Sequence, residues 1–221
     1  MKVLFDHQIF SLQKYGGISR YFYELFCQFN EMDDINYKVP IIVSNNHYIS
    51  DKKITKHIDI FSNLQFRGKG RLLNSFNKLN TIINISQNKY DVFHPTYYDP
   101  YFIKYLNKKP FVLTVYDMIH EKFNKMFSKN DKTSEQKRYL IEKADKVIAI
   151  SQNTKMDIID IFKVDESKIE VIYLGKSLIN DTLEKPNLFI PENYLLFVGN
   201  RSGYKNFERF IRSISEIIQN E

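Results

Sequence analysis

Short apolar runs alternate along the whole chain with longer segments in which apolar residues recur every three or four positions. Val3-Leu4-Phe5 is the first run, and Ile18, Phe22, Leu25, Phe26 and Phe29 then share one face at helical spacing. Tyr37 to Val43 reads as a strand that Pro40 interrupts, which suits an edge position. Residues Ser44 to Gln65 are polar and mixed and carry no assigned element. Leu72, Phe76, Leu79 and Ile83 mark the next helix, after the basic turn Arg67-Gly68-Lys69-Gly70-Arg71, which reads as a solvated loop. Asp91-Val92-Phe93-His94 is a short strand ended by Pro95. Phe111 to Val115 and Val147 to Ile150 are continuous apolar runs of the kind buried on both faces of a parallel sheet. Tyr139, Leu140 and Ala144 predict a helix between them. Ser151 is placed to cap a helix containing Ile158, Ile159 and Phe162, and Ile169 to Ile172 forms a further strand beyond the turn at Asp165-Glu166-Ser167.

Strand follows helix throughout, with no hairpin signal, so the fold class is α/β: a Rossmann-like parallel sheet with helices on both faces. Ligands of such sheets sit beyond the carboxyl ends of the strands. The glycine turn Gly16-Gly17, His94, and Asp117 with His120 all fall just past predicted strand ends, which places a cleft there. A strand, a glycine turn and a helix start together aim backbone N–H groups at an anion, although Gly16-Gly17 lacks the spacing of the dinucleotide or P-loop fingerprints.

Residues 1–176 are expected to form the first domain and 177–193, with Pro186 and Pro191, a linker. Tyr194 to Val198 then begins a second domain as a buried strand, followed by Gly199 to Asn206 and a helix with Phe207, Phe210, Ile211, Ile214, Ile217 and Ile218 on one face. One βα unit cannot pair its own strand, so residues 194–221 read as the truncated start of that domain.

Composition narrows the partners. A 43% hydrophobic content supports a folded core, and 32 basic against 26 acidic residues leave a net charge of +6, which favours a nucleotide diphosphate or an anionic surface. Cys27 stands alone and is expected to be a buried thiol in the first helix. With neither a signal peptide nor a long apolar span in view, the expected location is cytoplasmic. No cluster has metal-ligand spacing, no nucleophile stands in a known setting, and His7, His47 and His57 lie in no motif.

Five stretches resemble the family 4 glycosyltransferases of the GT-B fold, in particular those that build bacterial surface polysaccharides. They are Tyr15 to Arg20, Asp91 to Tyr98, Thr114 to Glu121, Ala144 to Ser151, and Val198 to Phe207. The resemblance implies an acceptor-side N-terminal domain and a C-terminal domain that binds most of a nucleotide-sugar. It also implies transfer to a glycan or lipid-linked acceptor, with retention, with no metal cofactor and no nucleic-acid partner. The family's paired-glutamate motif would lie beyond Glu221, so this chain alone is expected to be inactive. Tyr116 stands where relatives often carry histidine, and His120 is the candidate substitute.

Glycosyl transfer builds negative charge on the departing diphosphate, so fixed cations and N–H donors lower its barrier. Arg201 and Lys205 suit that task from one side, and Gly16 and Gly17 would approach the same diphosphate from the other. His94, Asp117 and His120 are the candidate catalytic residues, with Asp117 and His120 able to orient sugar hydroxyls. Lys122 to Lys129 interleaves basic and apolar residues and is either a membrane-surface contact or a plain surface loop. The rival function is a non-catalytic nucleotide or phosphate-binding module, or a half-enzyme completed by a separate C-terminal partner.

Overall fold

The computed structural model describes residues 1–50, 54, 69–175, 191, 193–199, 201 and 203–219. Most of the expected linker, 177–193, lies outside the described residues. The chain divides into two units: Met1–Met118 with Lys132–Gly175, and Ile119–Asp131 with Lys176–Glu221.

In the first unit β1 (Lys2–Phe5) leads into a short helix α1 (Gln8–Leu12) and then α2 (Gly17–Asn30). The edge strand β2 (Asn36–Lys38) stops before Pro40, because the ladder cannot continue through a residue with no N–H. After α3 (Lys69–Ser86) come β3 (Val92–His94) and β4 (Val112–Val115). The helix α4 (Ile119–Lys122) belongs to the second unit. Back in the first, α5 (Thr133–Lys143), β5 (Lys146–Ala149), α6 (Gln152–Phe162) and β6 (Ile169–Val171) complete the order. Ser151 caps α6 as expected, its Oγ accepting the Thr154 amide at 3.1 Å.

All described strand pairs are parallel. They form two three-stranded sheets, β2-β1-β3 and β4-β5-β6, and a bridge between Phe93 and Phe111 joins them. The expected parallel α/β architecture is therefore present. Successive residues of β1 point to opposite faces: Val3 and Phe5 enter one apolar cluster with Phe22 and Phe26, while Leu4 enters the other with Phe93, Leu113 and Val147. Cys27 is half-buried rather than buried, because it lies beside the face of α2 that Phe22 and Phe26 present to the sheet.

Helix α3 packs the other way round from its apolar pattern. Leu72, Phe76, Leu79 and Ile83, the residues that reveal the helix in the sequence, are 43%, 49%, 59% and 56% exposed. Its inward face carries Leu73, Asn77, Thr81, Asn84 and Ile85. The reason is the segment after β2, whose backbone leaves the sheet at Pro40 and needs other partners. Asn77 Oδ1 accepts the amides of Ile42 and Val43 at 2.9 and 3.1 Å, and its Nδ2 donates to Val43 O at 2.7 Å. Asn80 Nδ2 donates to Pro40 O at 2.9 Å. Amide side chains of α3 thus stand in for a missing strand, and buried polar groups so satisfied are tolerated in the core.

The second unit contains α4, a 3-10 turn at Asn124–Met126, and α7 (Phe207–Gln219). Within it Phe127 meets Tyr204, ring centroids 6.1 Å apart. The buried strand expected at Tyr194 to Val198 is not formed. Tyr194, Leu195, Leu196 and Val198 are 59% to 84% exposed, and no strand among the described residues pairs with them. Phe197 is anchored against Phe207 and Phe210, at 4.8 and 5.6 Å. No described helix is long and apolar enough to cross a membrane.

Candidate functional site

The glycine turn lies between α1 and α2. Gly16 is extended (φ 173°), so its backbone does not demand glycine, but a Cβ there would collide with the Gln13 carboxamide. Gly17 opens α2 and is exposed, with nothing within 4 Å of the place a Cβ would occupy. No side-chain hydrogen bond caps the start of this helix among the described residues, the end at which a helix carries its unpaired amides and partial positive charge. Ser19 Oγ donates to Gly16 O at 3.0 Å and fixes the turn.

One turn further, α2 meets the ends of β3 and β4. The Phe22 ring lies edge-on to His94 at 5.5 Å, and Tyr21 lies edge-on to Tyr116 at 5.7 Å. The His94 imidazole is stacked on Phe5 at 5.3 Å, and its Nε2 is 2.9 Å from Thr114 Oγ1. Burial pulls its pKa down to about 4, so it is neutral at ordinary pH. Tyr116 packs against both apolar clusters. Its hydroxyl is buried, with no hydrogen-bond partner among the described residues, and burial beside Tyr21 and Tyr98 raises its pKa well above 10.

Asp117 follows β4 and is half-buried, its carbonyl accepting Lys137 Nζ at 2.9 Å. Lys137 is only 1% exposed, with Nζ also 5.2 Å from the centre of the Tyr98 ring. A lysine on a polar helix reads as solvated from sequence, and nothing in its spacing signals this inward position.

The remaining candidates belong to the second unit. His120 stacks on Phe127 at 4.1 Å with Nε2 3.6 Å from Asp131 Oδ2, while its Nδ1 is buried without a hydrogen bond among the described residues. The Arg201 guanidinium lies over Phe207 at 5.3 Å and Lys205 Nζ over Tyr204 at 5.2 Å. Both cations are exposed. Gly203 has φ 67°, a left-handed conformation that glycine adopts without strain.

The structure also shows a clasp at the strand-order switch between β1 and β3. Asp6 is fully buried. Its Oδ1 accepts Thr96 N at 2.8 Å and Thr96 Oγ1 at 2.6 Å, and its Oδ2 accepts Gln8 Nε2 at 2.7 Å and Tyr101 OH at 3.3 Å. His7 beside it is buried too, its ring nitrogens 3.1 Å from Thr81 Oγ1 and Asn74 Oδ1. Desolvation holds its pKa below the ordinary value against the pull of Asp6. Sequence reasoning missed both residues; the available signal was two polar residues directly after a buried strand at the switch point. Nearby, Lys78, Asp99, Tyr101, Tyr105 and Tyr139 help line a cavity of about 590 Å³ that none of the motif residues enters. Among the described residues no group of three or more His, Cys, Asp or Glu side chains is placed to hold a metal.

These motifs and this sheet can be compared with known proteins. The model of the family described as Glycosyltransferase Family 4 matches residues 15–177. The chain belongs to glycosyltransferase family 4. The matched span takes in Gly16, Gly17, His94, Asp117 and His120 but neither Arg201 nor Lys205. Among solved structures, this family 4 chain is similar to Anabaena HepE (Alr3699), crystallised with UDP and glucose. The identity is 15% and the TM-score 0.48, covering 79% of this chain and 44% of HepE. The chain therefore spans less than half the length of that protein. No curated protein matches it.

Proposed function

We propose that this chain is the acceptor-side part of a glycosyltransferase that moves a sugar from a nucleotide-sugar to a glycan or lipid-linked acceptor. The transfer retains anomeric configuration and serves surface polysaccharide synthesis at the inner face of the membrane. The observation that carries the reading is the family match across residues 15–177. The uncapped start of α2 supports it, because Gly17 leaves open space beside amides that suit a diphosphate oxygen.

In this reading Gly16 and Gly17 lie against the donor diphosphate, and Arg201 and Lys205 neutralise the charge that grows as it leaves. Asp117 and His120 orient sugar hydroxyls. His94, enclosed by Phe5 and Phe22, is a positioning residue that acts through Thr114. No metal takes part.

The test is steady-state kinetics of Gly17→Ala and Arg201→Ala in the protein completed with a donor domain. Gly17→Ala raises the donor Michaelis constant with the circular dichroism unchanged. Arg201→Ala lowers kcat by roughly 10²–10³, as removal of one such donor does elsewhere. Wild-type kinetics for both variants together refute the diphosphate assignment. If the isolated chain binds donor and the completed protein still shows no turnover, the non-catalytic module is favoured instead.

A further inference from the structure

Strand β4 ends at Val115, whose carbonyl still accepts the Ile150 amide at 3.3 Å. Tyr116 and Asp117 lie beyond the paired register, and polar backbone groups that leave a sheet need other partners. Two side chains supply them. The Tyr98 hydroxyl accepts the Tyr116 amide at 3.4 Å, and Lys137 Nζ donates to Asp117 O at 2.9 Å. The two side chains also meet each other, with Nζ 5.2 Å from the centre of the Tyr98 ring, within cation–π range. All four residues belong to the first unit.

Lys137 is the costly member of this set. It shares a face of α5 with Leu140 and Ile141, three and four residues on, and is buried as they are. A buried ammonium gives up its water and recovers the loss only through bonds inside the protein. Packing alone does not call for a charge at this position, where a methionine of similar length would fill the space. The bond from Lys137 to Asp117 O falls on the residue that bears a candidate sugar-orienting carboxylate.

We propose that Lys137, together with Tyr98, is a positioning residue for sugar transfer. It clamps the backbone at the end of β4 and so fixes where the Asp117 carboxylate stands. Lys137 touches no substrate in this arrangement and acts through Asp117. The clamp itself stands on geometry within the first unit; its consequence for transfer rests on the function proposed above.

In the 221-residue chain, nitrogen-15 relaxation reads the order parameters of the Leu113, Tyr116 and Asp117 amides. All three are expected near the rigid value of about 0.85 in the wild type. In Lys137→Met, Tyr116 and Asp117 should fall below about 0.6 while Leu113, inside the sheet, keeps its value. Tyr98→Phe keeps the ring beside the ammonium, removes the acceptor of the Tyr116 amide and should loosen the same two positions. It decides the matter if Lys137→Met does not fold. In the protein completed with a donor domain, Lys137→Met should lower kcat roughly 10–100-fold, the scale of loss from a misplaced group. Lys137→Arg should recover part of it. Asp117→Ala keeps the clamped carbonyl but has no carboxylate to misplace, so adding Lys137→Met to it should change kcat by less than about twofold.

Amides at Tyr116 and Asp117 that stay rigid in both variants overturn the clamp. Loosened amides with wild-type kcat overturn the positioning role. A loss that multiplies with that of Asp117→Ala overturns it too, because a merely weakened fold costs the same factor in either background. Absence of turnover in the completed wild type is a different result. It refutes the transferase reading, and the role in transfer with it, while the relaxation data still decide the clamp.

Discussion

His94→Gln separates an imidazole that packs the core from one that works in the cleft. The folded protein holds this ring at a pKa of about 4 by burial, whereas in the unfolded chain it titrates near 6.5. A pKa depressed on folding means that the unfolded state takes up the proton first. The stability tied to the neutral ring is complete above about pH 6.5 and is lost as pH falls towards 4. At about 1.4 kcal/mol for each pH unit between the two values, the full loss is about 3 kcal/mol. Roughly 2 kcal/mol of it falls between pH 7 and pH 5. Glutamine has no proton to take up yet keeps a polar group within reach of Thr114 Oγ1. Urea unfolding of both proteins at pH 5, 6, 7 and 8 isolates this contribution, because every other titrating group cancels in the difference. His94→Gln is less stable than the wild type at pH 8, and the gap narrows by about 2 kcal/mol at pH 5. Parallel stability curves would refute the burial argument and return His94 to a solvent-accessible position.

Asn77→Ala removes the acceptor for the Ile42 and Val43 amides and should cost roughly 2–4 kcal/mol in urea unfolding, whereas Leu79→Ala on the same helix should stay within about 0.5 kcal/mol. Tyr116→Phe deletes a buried hydroxyl that has no partner among the described residues and should leave the melting temperature unchanged or raised; a marked loss would reveal a hydrogen bond there. Lys137→Met withdraws the donor to Asp117 O and should cost about 1–3 kcal/mol, with Lys137→Arg recovering part of it. Asp6→Asn turns a donor towards groups that themselves donate to Asp6 and should destabilise by at least about 2 kcal/mol, measured by thermal unfolding at pH 7.

Much of the sheet was legible because β1, β4 and β5 are buried and their apolar runs are short. Phe5, Val115 and Ala149 are each fully buried, and the turn chemistry of Ser151 and Asp165 forms as read. Helix α3 was legible as a helix but not in its orientation. The inward side is chosen by unpaired backbone between Pro40 and Val43, a tertiary need that the period of the helix does not record. Tyr194 to Val198 misleads for the opposite reason: a run with the composition of a buried strand stays largely exposed where no described neighbour pairs with it. Among the candidate site residues, Gly16, Gly17, His94 and Asp117 are in the first unit, with α2 reaching the ends of β3 and β4. His120, Arg201 and Lys205 are in the second. Asp6, His7 and Lys137 escaped notice because their partners are far away in sequence; the Asp6–Thr96 pair spans 90 residues.

The same 90-residue span has a consequence during synthesis. Strand β1 is central in its sheet, between β2 and β3, and β3 is not made until Val92–His94. At about 5–20 residues per second the ribosome delivers that partner roughly 5–20 s after β1. Through that interval Val3, Leu4 and Phe5 have only β2 and the α2 face to shelter them. A nascent chain stalled before His94 should therefore bind a holdase chaperone through its N-terminal segment, and the released full-length chain should not.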